Sequence, residues 1–189
     1  QRTAEDRRAR TTEEVADLLR LLGPIPVEEM AEHTNVPLSA IESLGARVMR
    51  VRIGGREHFA QPLDAPLLRD ALGVPVPPGV PAQQATITDA LQQLVSRWAR
   101  TRGPFVLRDL QDAFGLSAST AHTALQSIDI IVEGRYRQGI EEAEYCAAEV
   151  LRTIRSRSLA AARAATEPVS AATFGRFLPD WQQVAPVGK

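Results

Sequence analysis

The sequence predicts a mainly helical α+β fold with two tandem winged helix-turn-helix domains, small β-hairpins and C-terminal connecting helices. Residues 103–146 carry two short helical segments at a tight turn, followed by an apolar run at 129–133 that predicts the first strand of a hairpin. A shift of 80 residues aligns residues 15–54 with residues 95–134 without a gap. A proline-rich run, Val74–Pro81, separates the two copies. These three observations predict the tandem fold.

The first copy begins with an amphipathic helix. Thr11 to Glu14 opens the helix with an acidic first turn, and Gly23-Pro24 ends the helix. We expect Ile25-Pro26 to begin a second helix and Leu38–Ala46 to form a third. Their order is that of a helix-turn-helix.

A hairpin follows these helices. Val48 to Ile53 alternates apolar and basic residues, which places Arg50 and Arg52 on one face of a strand. Gly54-Gly55 is typical of a tight turn, and Arg56–Ala60 is expected to return as the partner strand. A short helix, Asp64–Leu72, completes this copy.

The second copy repeats this order. Thr86–Arg100 predicts a long amphipathic helix, and Val106–Gly115 predicts the next helix, closed by its glycine. Ser117 is expected to cap a third helix. Asp129–Glu133 predicts a strand, with Tyr136–Tyr145 as its partner. The 80-residue shift matches Gly54 with Gly134 at the two hairpins.

These elements divide the chain into four parts. We expect a first winged helix at 1–73, a semi-rigid proline-rich linker at 74–84, a second winged helix at 85–146 and a helical connector at 147–189. The connector is predicted to contain a long helix, Ala147–Thr166, and a last helix capped by Ser170.

Composition excludes several functions. The net charge of −1 is not that of a uniformly basic nucleic-acid coat, although a local basic face remains compatible with it. The lone Cys146 excludes an intramolecular disulfide and has no metal-ligand spacing to any histidine. No apolar run approaches the roughly 20 residues of a membrane helix. Because the chain begins at Gln1 and ends at Lys189 just after Trp181, we expect a fragment of a longer protein, and the single cysteine fits a reducing, cytoplasmic compartment.

Candidate nucleic-acid contacts lie on the predicted third helix of the second copy, on the two hairpins and on the connector helix. The hydroxyl, imidazole, amide and guanidinium groups of these residues can bond to phosphates or base edges. They are Ser119, His122, Thr123, Gln126, Arg50, Arg52, Arg56, Arg135, Arg137, Arg152 and Arg155. Each group is equally compatible with a solvated or protein-packed surface, and that alternative stays open. No nucleophile–base pair or metal cluster is visible, so we expect no catalytic residue.

The C-terminal third carries a family resemblance. Leu151–Ala161, Glu167-Pro168-Val169 and Arg176–Gln182 resemble the C-terminal region of Lhr-type large helicase-related proteins, as do Arg102–Phe105, Glu144–Leu151, Leu68–Gly73 and Pro77–Pro81. The resemblance implies an ATP-dependent DNA helicase whose motor domains hold ATP and magnesium. It also implies a C-terminal array of winged helices linked to base excision. Val106 departs from the family, in which Ser or Thr usually caps this helix.

We therefore expect a DNA-binding accessory segment of such a helicase, acting in DNA repair and contacting mainly phosphates. The fragment lacks a phosphate-binding loop motif, so we expect no enzymatic activity or cofactor within it. The expected partners are single-stranded or duplex DNA, neighbouring domains of the same polypeptide and other copies of the chain, with no membrane, in the bacterial cytosol or nucleoid. The alternative is a structural spacer or interaction module. A free-standing transcription regulator is disfavoured by the non-Met start.

Overall fold

Helices dominate the computed structural model, which describes residues 8–80 and 86–165. The chain up to Leu151 forms one unit, and the chain from Arg152 onward forms another. Both winged helices belong to the first unit. The described part of the second unit is a helical segment, and the last helix predicted from Ser170 lies outside the described residues.

The first winged helix has three helices before its hairpin and one after it. Its elements are α1 (Thr12–Leu22), β1 (Ile25–Pro26), α2 (Met30–His33), α3 (Leu38–Glu42), β2 (Met49–Ile53), β3 (Arg56–Ala60) and α4 (Ala65–Leu72), with short 3-10 turns at Val27–Glu29, Gly45–Arg47 and Pro62–Asp64. Thr11 caps α1, because the Glu14 amide donates a 3.2 Å hydrogen bond to the Thr11 side chain. The expected third helix is shorter than Leu38–Ala46 and gives way to a 3-10 turn.

The second winged helix repeats the order. Its elements are α5 (Ala90–Arg100), β4 (Phe105–Val106), α6 (Leu107–Phe114), α7 (Ala118–Gln126), β5 (Ile131–Gly134) and β6 (Glu144–Ala147), and α8 (Ala148–Ala165) follows. Ser117 caps α7 by accepting a 3.1 Å hydrogen bond from the Thr120 amide. Helix α5 begins later than the predicted Thr86, since Asp89 adopts a left-handed backbone conformation with φ of 54°.

The residues after each Gly-Pro turn form an edge strand. The prediction that Ile25-Pro26 begins a helix is wrong, because both residues pair with β3. Pro26 has no N–H group to donate, and an edge strand tolerates this loss. In the second copy, Val106 has no side-chain acceptor, but its amide donates a 2.9 Å hydrogen bond to the Asp109 carboxylate, which supports the start of α6.

Both sheets are antiparallel and have the last strand of the copy in the middle, in the orders β1-β3-β2 and β4-β6-β5. Ile25 pairs with Phe59, and Phe105 pairs with Tyr145. The first strands are thus 80 residues apart and the middle strands 86 residues apart. The two winged helices share one topology, and the stretch between the first and the middle strand is longer in the second copy.

The ungapped alignment is wrong at the hairpins. Gly54 lies in the turn after β2, whereas Gly134 ends β5 and pairs with Glu144. Helix α7 has 9 residues where α3 has 5, and a loop at 135–143 replaces the two-residue turn. Of the predicted return strand Tyr136–Tyr145, only Glu144 and Tyr145 lie in a strand, and they belong to β6.

Two hydrophobic cores lie in the first unit. The first core contains Val15, Leu19, Ile25, Met30, Ile41 and Phe59. The shared core draws on both copies and includes Met49, Val51, Ile53, Leu68, Leu94, Trp98, Phe105, Leu110 and Phe114. Val74 of the predicted linker is buried in it, with Val76 and Val80 packed alongside. The domain boundaries themselves stay a sequence prediction.

Candidate nucleic-acid interface

The first wing, defined here as residues 49–60, carries two arginines on one exposed face. A guanidinium nitrogen of Arg50 lies 3.2 Å from a Glu42 carboxylate oxygen, and another lies 3.7 Å from Glu57. Arg52 lies 3.8 Å from Glu57. The Arg50 guanidinium also stacks 5.4 Å from the centre of the Phe59 ring. Both arginines therefore have carboxylate partners within the protein.

Arg56 lies on the opposite face of the same hairpin. It pairs with Ile53 in the strand register, whereas Arg50 pairs with Phe59, and neighbouring residues of a strand point to opposite faces. Its guanidinium donates to Glu29 at 2.7 Å and to Glu28 at 2.6 Å, and these hydrogen bonds raise the pKa of Arg56 above its usual value. The three predicted arginines share a hairpin without forming one surface.

The recognition helix of the first copy offers little positive charge. Helix α3 exposes Ser39 and Glu42, with Ser43 just after it. The Ser43 hydroxyl donates a 2.6 Å hydrogen bond to the Ala40 carbonyl, and Glu42 pairs with Arg50. A carboxylate on this face repels phosphate.

The recognition helix of the second copy presents a neutral polar face. Ser119, His122, Thr123 and Gln126 are all exposed on α7, as their helical spacing predicts. The Ser119 and Ser117 hydroxyl oxygens lie 3.0 Å apart, next to the helix cap. The helix carries no Asp, Glu, Lys or Arg, so it can form hydrogen bonds to bases or phosphates but does not attract phosphate by net charge.

The second wing, defined here as residues 131–147, is built around a buried carboxylate. Glu144 is fully buried and accepts hydrogen bonds from the Tyr136 amide at 2.5 Å, the Arg137 amide at 2.8 Å and the Arg137 side chain. Burial disfavours the ionised carboxylate, but these donors outweigh it and lower the pKa of Glu144. The Arg137 guanidinium is thus engaged within the wing, and Arg135 is exposed.

The same wing is acidic on its outside. Glu133, Glu141 and Glu142 are exposed, against Arg135 and the half-exposed Arg137 side chain. These carboxylates outnumber the guanidiniums and oppose phosphate binding.

The basic side chains of α8 have a different environment. Arg152, Arg155 and Arg157 are exposed, and no carboxylate of the described residues lies within ion-pair distance of them. From Arg152 to the end of the helix the sequence contains no Asp or Glu. Helical spacing places Arg152 and Arg155 on one side, separated by three positions. Arg152, Arg155 and Arg157 therefore carry positive charge that no carboxylate of the described residues opposes by an ion pair.

Sequence reasoning missed Arg97, which lies on α5 and reaches the first copy. Its guanidinium donates to Asp64 at 2.8 Å, to the Leu19 carbonyl at 2.9 Å and to the Arg20 carbonyl. The last two carbonyls belong to the C-terminal turn of α1, where a cation is favoured. The helical periodicity of α5 places Arg97 beside its apolar face, but it does not identify partners 77 and 78 residues away.

A cleft of about 330 Å³ lies beside this junction and is lined by both copies. Its polar rim contains Glu29, Asp109 and Asp112 along with Arg56 and Arg102. Arg102 stacks 4.7 Å from the Trp98 ring centre, and burial lowers its pKa. Since the carboxylates outnumber the guanidiniums, the cleft does not concentrate positive charge for phosphate.

The described residues contain neither a cluster of metal-ligating side chains nor a helix suited to cross a membrane. Within residues 8–80 and 86–165, no three His, Cys, Asp or Glu side chains gather as a metal site. Cys146 is buried, which raises the pKa of its thiol. The helices in this part of the chain are too short or too polar to cross a membrane.

A comparison with known proteins identifies the family of the chain. A family model described as large helicase-related protein, winged-helix domain, matches residues 1–87. The chain belongs to the Lhr family. A relative named Lhr helicase/probable uracil glycosylase, from Mycolicibacterium smegmatis, is 39% identical over 97% of this chain. The Escherichia coli relative, named Lhr helicase/uracil glycosylase, is 36% identical over 98% of it.

The Lhr segment is a small part of these relatives. It spans 13% of the length of the first and 12% of the second. The match over nearly the whole chain supports the resemblance carried by both winged helices and by the connector. The candidate contact residues stay predictions, since no bound nucleic acid tests them.

Proposed function

We propose that this Lhr segment binds nucleic acid as an accessory part of a larger ATP-dependent DNA helicase, contacting mainly phosphates. The observation that carries the proposal is the set of three exposed arginines on α8, Arg152, Arg155 and Arg157, without described carboxylate partners. Guanidinium groups bind phosphate oxygens through paired hydrogen bonds, and their charge makes such binding strong at low salt. The neutral face of α7 supplies additional hydrogen-bonding groups.

The catalytic steps belong elsewhere in this proposal. ATP and magnesium would bind motor domains of the parent protein, since this chain has no phosphate-binding loop motif. The relatives' names include a uracil glycosylase, which supports a DNA-repair role for the parent. The parent would act in the bacterial cytosol or nucleoid.

The test is a titration of the 189-residue chain with labelled duplex and single-stranded DNA at several salt concentrations. Substituting Arg152, Arg155 and Arg157 together with Ala is expected to weaken binding about 10-fold or more and to flatten the salt dependence. The control is the double variant Arg50→Ala and Arg52→Ala, which removes two positive charges that already pair with carboxylates. Equal affinity of the triple variant and the unmodified chain would reject the α8 contact.

A second candidate is a structural spacer or interaction module within the helicase or its oligomer. The ion pairs of Arg50, Arg52 and Arg56 favour this role for the first wing. Charge reversal of these three arginines separates the candidates. Loss of assembly with intact DNA affinity supports the spacer, whereas loss of DNA affinity with intact assembly contradicts it.

A further inference from the structure

The tip of the first wing touches the helix-turn-helix turn of the second copy. Gly54 has φ of +57° and Gly115, which closes α6, has φ of +67°. A Cβ atom built on Gly115 would lie 2.4 Å from the Gly54 Cα, and one built on Gly54 would lie 2.9 Å from the Gly115 nitrogen. Backbone therefore meets backbone, and this approach leaves no room for a side chain on either residue.

The faces of the first wing belong to different cores. Phe59 is buried in the first core, opposite Ile25. Met49, Val51 and Ile53 alternate onto the other face and are buried in the shared core with residues of α5 and α6. The hairpin thus lies between the two cores and packs against both copies.

Arg97 adds a polar connection at the same junction. Its partner Asp64 precedes α4, and its carbonyl partners end α1, so one guanidinium joins two elements of the first copy to α5. The Arg97 and Asp64 side chains are 24% and 12% exposed, which protects the ion pair from much of the solvent. The second oxygen of Asp64 is buried without a hydrogen-bond partner, so loss of Arg97 would leave that carboxylate uncompensated.

We propose that the first wing is an interaction surface for the second winged helix, and that it couples the two copies into one cooperative folding unit. The partner surface is the turn closed by Gly115 together with the apolar side of α5 and α6. This inference goes beyond the proposed function, because it concerns the chain without nucleic acid.

The first test is hydrogen exchange across a urea series on the 189-residue chain. Amides of β3 and of α6 are expected to lose protection at one common urea midpoint, since opening either copy exposes the shared core. Separate midpoints for these two elements in the unmodified chain would overturn the proposal.

The second test compares glycines of matched backbone conformation. Gly115→Ala is expected to lower the thermal midpoint by at least about 5 °C more than Gly73→Ala. Gly73 also follows a helix, with φ of +68°, but a Cβ there meets nothing within 4 Å. In the first wing, Gly54→Ala and Gly55→Ala form the same kind of pair. Equal shifts within both pairs would show that the contact does not couple the copies.

The third test covers the case in which the glycine variants do not fold. Arg97→Ala is expected to shift the urea midpoints of β3 and α6 together, whereas Arg100→Ala, on an exposed ion pair with Glu149, leaves them unchanged. A shift confined to α6 would contradict coupling. Since none of these measurements contains DNA, their outcome is independent of the proposed binding role of α8.

Discussion

The two wings of this Lhr segment have the same strand order and different surroundings. The first wing turns at Gly54-Gly55, contacts the second copy at its tip and buries residues on both faces. The second wing has a longer loop, is tied together by Glu144 and exposes Val132. The same supersecondary motif thus lies between two cores in one copy, whereas in the other it packs β6 on the shared core through Tyr145 and Ala147 and holds a longer loop through Glu144.

The middle strands show the difference at one matched position. His58 pairs with Pro26, and Glu144 pairs with Val106. Both polar side chains are buried, but His58 bonds to the Arg56 carbonyl at 3.0 Å, whereas Glu144 collects donors from its own loop. A neutral ring suits a hairpin packed between cores, and a carboxylate organises a loop that lacks such support.

The largest expected effect on the free energy of unfolding follows from the different burial of one strand position in the two wings. Met49 and Val132 occupy equivalent strand positions, pairing with Ala60 and Cys146, yet their exposures are 4% and 42%. Met49→Ala is expected to lower the free energy of unfolding by about 2–4 kcal/mol, because it opens a cavity in the shared core. Val132→Ala should change it by less than about 0.5 kcal/mol. Urea unfolding measures both, and equal losses would contradict the different packing of the wings.

An intermediate effect concerns the pH dependence of the free energy of unfolding, which differs between the wings. Burial lowers the pKa of His58, so the unfolded chain takes up its proton at higher pH than the folded chain does. The stabilisation from neutral His58 is full above about pH 6.5 and is lost as the pH falls below it, with a slope of up to about 1.4 kcal/mol per pH unit. His58→Gln is expected to remove this slope, and His122→Gln, on the exposed face of α7, is the control.

Glu144 is expected to affect the free energy of unfolding at lower pH than His58 does. Its lowered pKa means that its contribution is present above the usual carboxylate range and is lost as the pH falls through the folded value. Glu144→Gln should therefore flatten the acid part of the stability profile without changing the part near neutrality. Unfolding curves at a series of pH values measure both windows. If His58→Gln leaves the slope of the free energy of unfolding below about pH 6.5 unchanged, the slope does not come from His58.

The smallest expected effect concerns the outer surfaces. Arg52 pairs with Glu57 at 3.8 Å with side chains 71% and 49% exposed, and Arg135 is exposed on the other wing. Either Arg-to-Ala change should alter the free energy of unfolding by less than about 0.5 kcal/mol, since exposed ion pairs contribute little. Urea unfolding at low and high salt measures this. A loss above about 1 kcal/mol for Arg52→Ala would show that the outer face also supports the first wing.

Local sequence patterns predicted most of the fold. The acidic first turn of α1, the Gly-Pro stops and the alternation of β2 depend on residues near each other in the chain, and these predictions are confirmed. The exposure of Ser119 and its helical neighbours was predicted for the same reason. The strand identity of Ile25-Pro26 was not predicted, because it depends on pairing with a strand more than thirty positions later.

The candidate site was harder to predict. Spacing placed Arg50 and Arg52 on one face, but it could not show that Glu42 and Glu57 pair with them, or that Arg137 bonds to Glu144. Ion pairs depend on distances between side chains in the folded chain, and several partners are far apart in sequence. The unopposed charge of α8 was visible in the sequence, because that helix contains no acidic residue after Glu149.

The sequence by itself determined two winged helices of one topology, the acid-free arginine segment of α8 and the family to which they belong. Periodicity, caps and turn residues act over a few neighbouring positions, so they can be recognised without a structure. The tertiary structure decided that Gly54 touches Gly115, that Arg97 joins the copies and that the first wing lies between two cores. These features depend on contacts between distant residues, which only packing of the whole unit brings together.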